Sequence, residues 1–123
     1  VFGPHDNDGL KLLKDQIKIQ FITADKRGFE ITKKRIVDDM GFDLDLVSET
    51  DRFLYLKERY GFENLIYMGD GYHDAKILKE SFFGICPNNA RIEARESADH
   101  ITKSNSAEGA VLDACLMVKE KFI

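Results

Sequence analysis

The turn Gly69-Asp70-Gly71-Tyr72-His73-Asp74 follows the apolar run Asn64-Leu65-Ile66-Tyr67-Met68. An Asp directly after an apolar strand, with a second Asp where a helix begins, suits a hard divalent cation. Mg²⁺ prefers carboxylate oxygens, keeps several waters and completes its shell with a substrate phosphate. A plainer reading has Asp70 opening a turn and Asp74 capping the following helix. A plain turn, however, does not require two glycines and a carboxylate pair in so short a span. The second chemical position is Thr23, a hydroxyl closing the alternating run 17–23 and followed by Ala24 and Asp25.

Elements that position these groups are legible along the chain. Short β-type runs cover 17–23, 42–47, 64–68 and 82–86, with a weaker one at 99–102. Helical spacing of apolar residues marks 8–15, 29–40, 50–60, 74–80, 89–96 and 107–122. Gly41 and Gly61 stand where left-handed residues close helices. Strands separated by single helices need right-handed crossovers, which give a parallel sheet with helices on its faces. The expected fold is therefore α/β, a Rossmann-like three-layer domain with a mainly parallel sheet, in a single domain over 1–123. Ligands of such sheets bind beyond the carboxyl ends of the strands, where both Thr23 and Asp70 fall. A helical pattern precedes the first strand, so the chain reads as starting one strand late.

Composition narrows the partners. The 123 residues are 43% hydrophobic and 33% charged, enough for a core and unlike a disordered chain. Eighteen basic against 22 acidic residues give a net charge of −4, which argues against a general nucleic-acid binder. No apolar run approaches the ~20 residues of a membrane-spanning helix, and no leader pattern opens the chain. Cys86 and Cys115 lie in apolar stretches and read as reduced, buried thiols of a cytoplasmic protein.

Thr23 after an apolar strand and "GDGYHDAKIL" further on resemble motifs two and four of the haloacid dehalogenase-like hydrolases. "VFGPHDNDGLKLLKDQIKIQFIT" and "AEGAV" are similar to segments of a capless branch of that family. That branch holds the 3-deoxy-D-manno-octulosonate 8-phosphate and nonulosonate 9-phosphate phosphatases. The resemblance covers nearly the whole chain. It implies that Asp70 ligates Mg²⁺, that Thr23 binds phosphate through its hydroxyl with the backbone of Ala24, Asp25 and Gly71 alongside, and that Asp74 orients metal waters or a nearby cation. It also implies a homo-oligomer, a tetramer, in which neighbouring subunits close the site.

Three departures accompany the resemblance. The family's nucleophile sits in an Asp-x-Asp-Gly motif ending an earlier strand. The "DNDG" at 6–9 lacks an apolar strand before it, so Asp6 or Asp8 is expected instead to cap a helix. The N-terminal nucleophile strand and hairpin are accordingly expected to be absent from these residues. The family's phosphate-neutralising Lys falls at Glu49, leaving Arg52, three residues on and near the same helical face, as the substitute, ahead of Lys57. The usual Thr-Gly-Arg is Thr23-Ala24-Asp25, with Lys26 or Arg27 left to compensate.

Remaining candidates are bland. His73 either faces the ligand or solvent. His5 and His100 lack partners at zinc spacing. Glu49, Asp51, Glu58 and Glu63 read as hydrated surface, and Tyr55, Tyr60 and Tyr67 as packing residues. The expected function is a Mg²⁺-dependent phosphomonoesterase for a phosphorylated sugar acid or similar small metabolite, working through a phosphoaspartate formed upstream of this segment, which alone is expected to be inactive. The alternative is a non-catalytic domain of the same fold with an oligomerisation or regulatory role. A nucleotide-binding domain is disfavoured by the lack of a P-loop or Gly-x-Gly-x-x-Gly turn.

Overall fold

The computed structural model describes residues 5–123. The first four residues of the "VFGPHDNDGL" segment, part of the resemblance above, lie outside the described residues. Helix α1 (Asp6–Leu13) leads to β1 (Gln20–Thr23), and α2 (Phe29–Lys33) continues into a π-helical segment (Lys34–Asp39) before β2 (Asp43–Leu46). Then follow α3 (Arg52–Arg59), β3 (Ile66–Met68), α4 (Asp74–Glu80), β4 (Phe83–Cys86), α5 (Ile92–Ser97), β5 (His100–Ile101) and α6 (Ala110–Phe122).

All strand pairs are parallel, as the crossover argument requires. They form two sheets rather than the single sheet expected: β1-β2 and β3-β4-β5. Among the described residues no backbone ladder joins β1 to β3. Side chains join the two sheets instead. On one face Phe21 and Leu44 pack with Ile66, Met68 and Ile85 beneath Leu10, Leu13, Ile36, Cys115 and Val118 of α1, the π segment and α6. On the other, Ile22 packs with Tyr67 and Cys86 beneath Leu56, Ile77, Leu78 and Ala94 of α3, α4 and α5. Phe21 and Ile22 are consecutive, and so are Tyr67 and Met68. Each pair thus sends neighbouring side chains to opposite faces, as the period of a strand dictates. The two sheets form one layer, interrupted by a seam between β1 and β3 and covered by helices on both sides.

Strand β1 runs the same way as β3. The Tyr60 hydroxyl, just ahead of β3 in the chain, donates to Gln20 Oε1 at the start of β1 (3.2 Å). Thr23 and Met68 therefore close their strands at the same end of the layer. Gly41 and Gly61, at φ +77° and +69°, end the helical segments before β2 and β3 in the left-handed conformation. At α1 the expectation is corrected. His5 is the N-cap residue, and Asp6 and Asp8 both lie inside the first turn, where their charge complements the helix dipole.

Candidate functional site

Strand β3 delivers the chain into the turn 69–73, and α4 begins at Asp74. Asp74 is buried, at 7% exposure, and both of its carboxylate oxygens are engaged. Oδ2 accepts the backbone N–H groups of Asp70 (3.0 Å) and Gly71 (2.9 Å). Oδ1 accepts the Tyr67 hydroxyl at 2.5 Å and Arg52 Nη1 at 3.3 Å. The turn passes so close to this carboxylate that a Cβ at Gly69 would stand 2.5 Å from Asp74 Cγ, so only glycine fits there. The Asp70 carbonyl in turn accepts the N–H of Arg91, from the loop after β4 (3.0 Å). With its backbone held on both sides, Asp70 is exposed at the strand end.

Arg52 opens α3 and lies across this cluster, its side chain 13% exposed. Nη1 reaches both Asp74 and the Tyr67 hydroxyl (3.4 Å), while Nε is buried with no hydrogen-bond partner among the described residues. Burial opposes the Arg52 charge, but Tyr67, Asp74 and Glu49 outweigh it and raise the pKa. Burial first, and then the Asp74 carboxylate, push the Tyr67 hydroxyl well above the ordinary range, so it stays a donor.

Thr23 stands at the end of β1. Its Oγ1 accepts the Asp25 N–H (3.2 Å), and Asp25 Oδ1 accepts the Gly28 N–H (3.0 Å). Asp25 thereby builds the turn into α2, with its own N–H already used, while the Thr23 hydroxyl keeps its proton to donate. Ala24 lies between them in the same turn.

The structure brings Asp70, Gly71, Asp74 and Arg52 into one cluster and sets Thr23, Ala24 and Asp25 across the seam at the same end of the layer. A groove of about 600 Å³ runs between the starts of α3, α4 and α5, lined by Glu49, Phe53, Tyr72, His73, Lys76 and Glu93 among others. His73 Nε2 lies 3.9 Å from Glu49 Oε2, with both side chains largely exposed. Lys57 lies in the last turn of α3, whereas Arg52 opens it.

Asp70 and its neighbours offer hard oxygen donors, the chemistry that suits Mg²⁺. Among the described residues no group of three or more His, Cys, Asp or Glu gathers around a common point. A cation at Asp70 would thus find one exposed carboxylate in this turn among the described residues, the rest of its shell being water, phosphate or other donors. Sequence reasoning passed over Tyr67 as a packing residue. The signal was present: strand alternation sends Tyr67 to the α4 face, and a buried Tyr hydroxyl must find a partner.

A family model for haloacid dehalogenase-like hydrolases matches residues 52–114, more than half of the chain. The chain is 39% identical over 54 residues to the 5-amino-6-(5-phospho-D-ribitylamino)uracil phosphatase of Bacillus subtilis, a match covering 42% of this chain and 22% of that protein. It is 28% identical over 114 residues to the phosphoglycolate phosphatase of Methanobrevibacter smithii, covering 84% of this chain and 49% of that one. The chain thus spans half or less of the curated relatives it matches. Among solved structures, it superimposes on 3-deoxy-D-manno-octulosonate 8-phosphate phosphatase from Moraxella catarrhalis, which holds a magnesium ion, a phosphate ion and the sugar acid. There the TM-score is 0.80 and the identity 26%, over 97% of this chain and 71% of that one.

Proposed function

The chain belongs to the haloacid dehalogenase-like hydrolases, and from that membership we propose that it forms part of a Mg²⁺-dependent phosphomonoesterase acting on a phosphorylated sugar acid or similar small metabolite. The observation that carries this reading is the Asp70 turn. Its backbone is clamped by Asp74 and Arg91 while its carboxylate stays exposed at a strand end, and a scaffold has no use for such an arrangement. In this reading Asp70 ligates the cation, which when bound would neutralise phosphate oxygens. Thr23 donates its hydroxyl to the phosphate, with the backbone of Ala24, Asp25 and Gly71 beside it. Arg52 adds positive charge beside the turn.

The nucleophile in this proposal is an aspartate on a further strand seated in the seam between β1 and β3. Its carboxylate oxygen attacks phosphorus, the P–O bond to the leaving group breaks, and the departing alkoxide takes a proton from water or a general acid to leave as the alcohol. Water then hydrolyses the phosphoaspartate to phosphate and regenerated carboxylate. Two buried, free thiols fit a reducing cytoplasm. Exposed Leu46 ends β2, and exposed Ile31, Leu54, Tyr72 and Ile92 lie in the segments that follow β1, β2, β3 and β4. They favour a homo-oligomer, a tetramer, whose neighbouring subunit covers them.

One observation favours the non-catalytic alternative: Glu49 stands where the resemblance asks for a cation, and the Nη1 of Arg52 is tied to Asp74 and Tyr67. The two readings part in one experiment. The full protein should hydrolyse an aryl phosphate only with Mg²⁺, Asp70→Asn should lower kcat/KM by about 100-fold or more, and residues 1–123 alone should be inactive. Turnover that survives Asp70→Asn, or a full protein without activity, would sink the catalytic reading.

A further inference from the structure

We propose that Tyr67 is a positioning residue for the metal site: through Asp74 it sets the shape of the turn from which the Asp70 carboxylate meets a divalent cation. The inference rests on the reading of Asp70 as metal ligand, and it assigns a role to a side chain that itself touches neither metal nor substrate.

The argument begins with the softness of an Asp side chain. Rotation about its Cβ–Cγ bond is broad, so covalent geometry does not define the plane of the carboxylate. In Asp74 that plane matters, because Oδ2 holds the amides of Asp70 and Gly71 only while it faces them. Two groups hold the other oxygen. The Arg52 contact, at 3.3 Å, is long for a charge-assisted bond and comes from a side chain rooted on α3. The Tyr67 contact, at 2.5 Å, is short, and comes from a ring fixed in the core between β3 and α4, where the residue is 8% exposed. Tyr67 is therefore the stiffer of the two anchors. Gly69 removes the last obstacle, since any side chain there would collide with the Asp74 carboxylate.

Without the Tyr67 hydroxyl, Oδ1 keeps only Arg52, which draws the carboxylate towards α3. Oδ2 then turns away from the two amides, and the Asp70 backbone is left with the Arg91 N–H as its remaining tether. The Asp70 side chain is unchanged, but it samples more orientations, and a ligand that is less organised binds its cation more weakly.

Tyr67→Phe keeps the ring and removes only the hydroxyl. In the full protein, Mn²⁺ affinity read by electron paramagnetic resonance should fall about tenfold in this variant, the size typical of lost support behind a ligand. Val118→Ala, a core truncation on α6 in the cluster on the opposite face of the layer, provides a stability control and should leave Mn²⁺ affinity unchanged. Wild-type affinity in Tyr67→Phe, or an equal loss in Val118→Ala, would overturn the positioning role while Asp70 stands. Equal Mn²⁺ binding by wild type and Asp70→Asn would remove the metal-site reading and this inference with it. In the wild-type protein, which needs no variant to fold, the Asp70 and Gly71 amides should exchange with solvent slowly despite lying in a surface turn. Fast exchange there also counts against the clamp.

Discussion

Cys115 shows how far one residue's surroundings reach into the behaviour of the whole protein. It packs beneath α1 at 5% exposure, and burial, with the Asp6 carboxylate adding, pushes its thiol up to about 11. The folded state thus holds the proton more tightly than the unfolded chain does. That contribution to stability is complete below the ordinary thiol pKa of 9.0 and is lost as pH rises through about 11. Urea midpoints at about pH 8 and about pH 10 should therefore differ more for wild type than for Cys115→Ala. An equal drop in both would assign the alkaline loss to other groups, such as the raised Tyr55 hydroxyl, pushed up to about 12 by burial and its bond to Asp45. At this scale much of the site was readable. Asp70, Asp74 and Gly71 announce themselves by type and spacing, and Arg52 by its helical face. The Tyr67 role was not, because pattern shows which face a side chain takes and not which polar atom lies opposite its hydroxyl.

The best-defined element is α4, which spans Asp74–Glu80 as the spacing predicts. Its inner face carries Ile77 and Leu78, both fully buried, and β4 passes so close that a Cβ at Gly84 would stand 2.7 Å from the Leu78 carbonyl oxygen. Ile77→Ala should cost about 2–5 kcal/mol by leaving a cavity. Gly84→Ala should cost about 1–3 kcal/mol by forcing strand and helix apart. Denaturant unfolding checks both, and a cost below about 0.5 kcal/mol for either would show that α4 is not packed as described.

Other elements were less legible, each for a local reason. Residues 17–19 alternate like the strand that follows, yet the Ile17 N–H bonds back to the Leu13 carbonyl (3.0 Å), so the chain is still leaving α1 there. Beyond Lys33 the helix widens into π geometry, with the Met40 N–H bonded to the Arg35 carbonyl five residues back. Apolar spacing cannot distinguish those registers, because Ile36 reaches the core in either. The weak fifth run is short as a strand, but Asp99 and Thr102 extend its bonding to the Gly84 and Cys86 carbonyls.

Across the whole molecule, the parallel layer with helices on both faces follows from the alternation of runs along the chain. The division into two sheets does not. Every strand pair joins segments about 15 to 25 residues apart, through a single helix. Among the described residues core side chains, not a backbone ladder, join the halves, and no pattern of apolar residues reports a missing ladder. The exposed apolar side chains in the segments after the strands belong to this scale as well. Light scattering of the full protein should show an assembly larger than a monomer at micromolar concentration, and a monomer there would count against the oligomer.

The seam also bears on solubility. Strands at the edge of a sheet template further pairing unless charge or shape blunts them. The outer strand β2 reads Asp-Leu-Asp-Leu, and its two carboxylates discourage another strand from adding. The strands that flank the seam, Gln-Phe-Ile-Thr and Ile-Tyr-Met, carry no charge at all. Protection against aggregation is thus built into β2 and left out of the two strands at the seam. In the proposed function, a strand that entered the seam would bring a nucleophile and would also cover uncharged edges on which an unrelated chain could begin to stack.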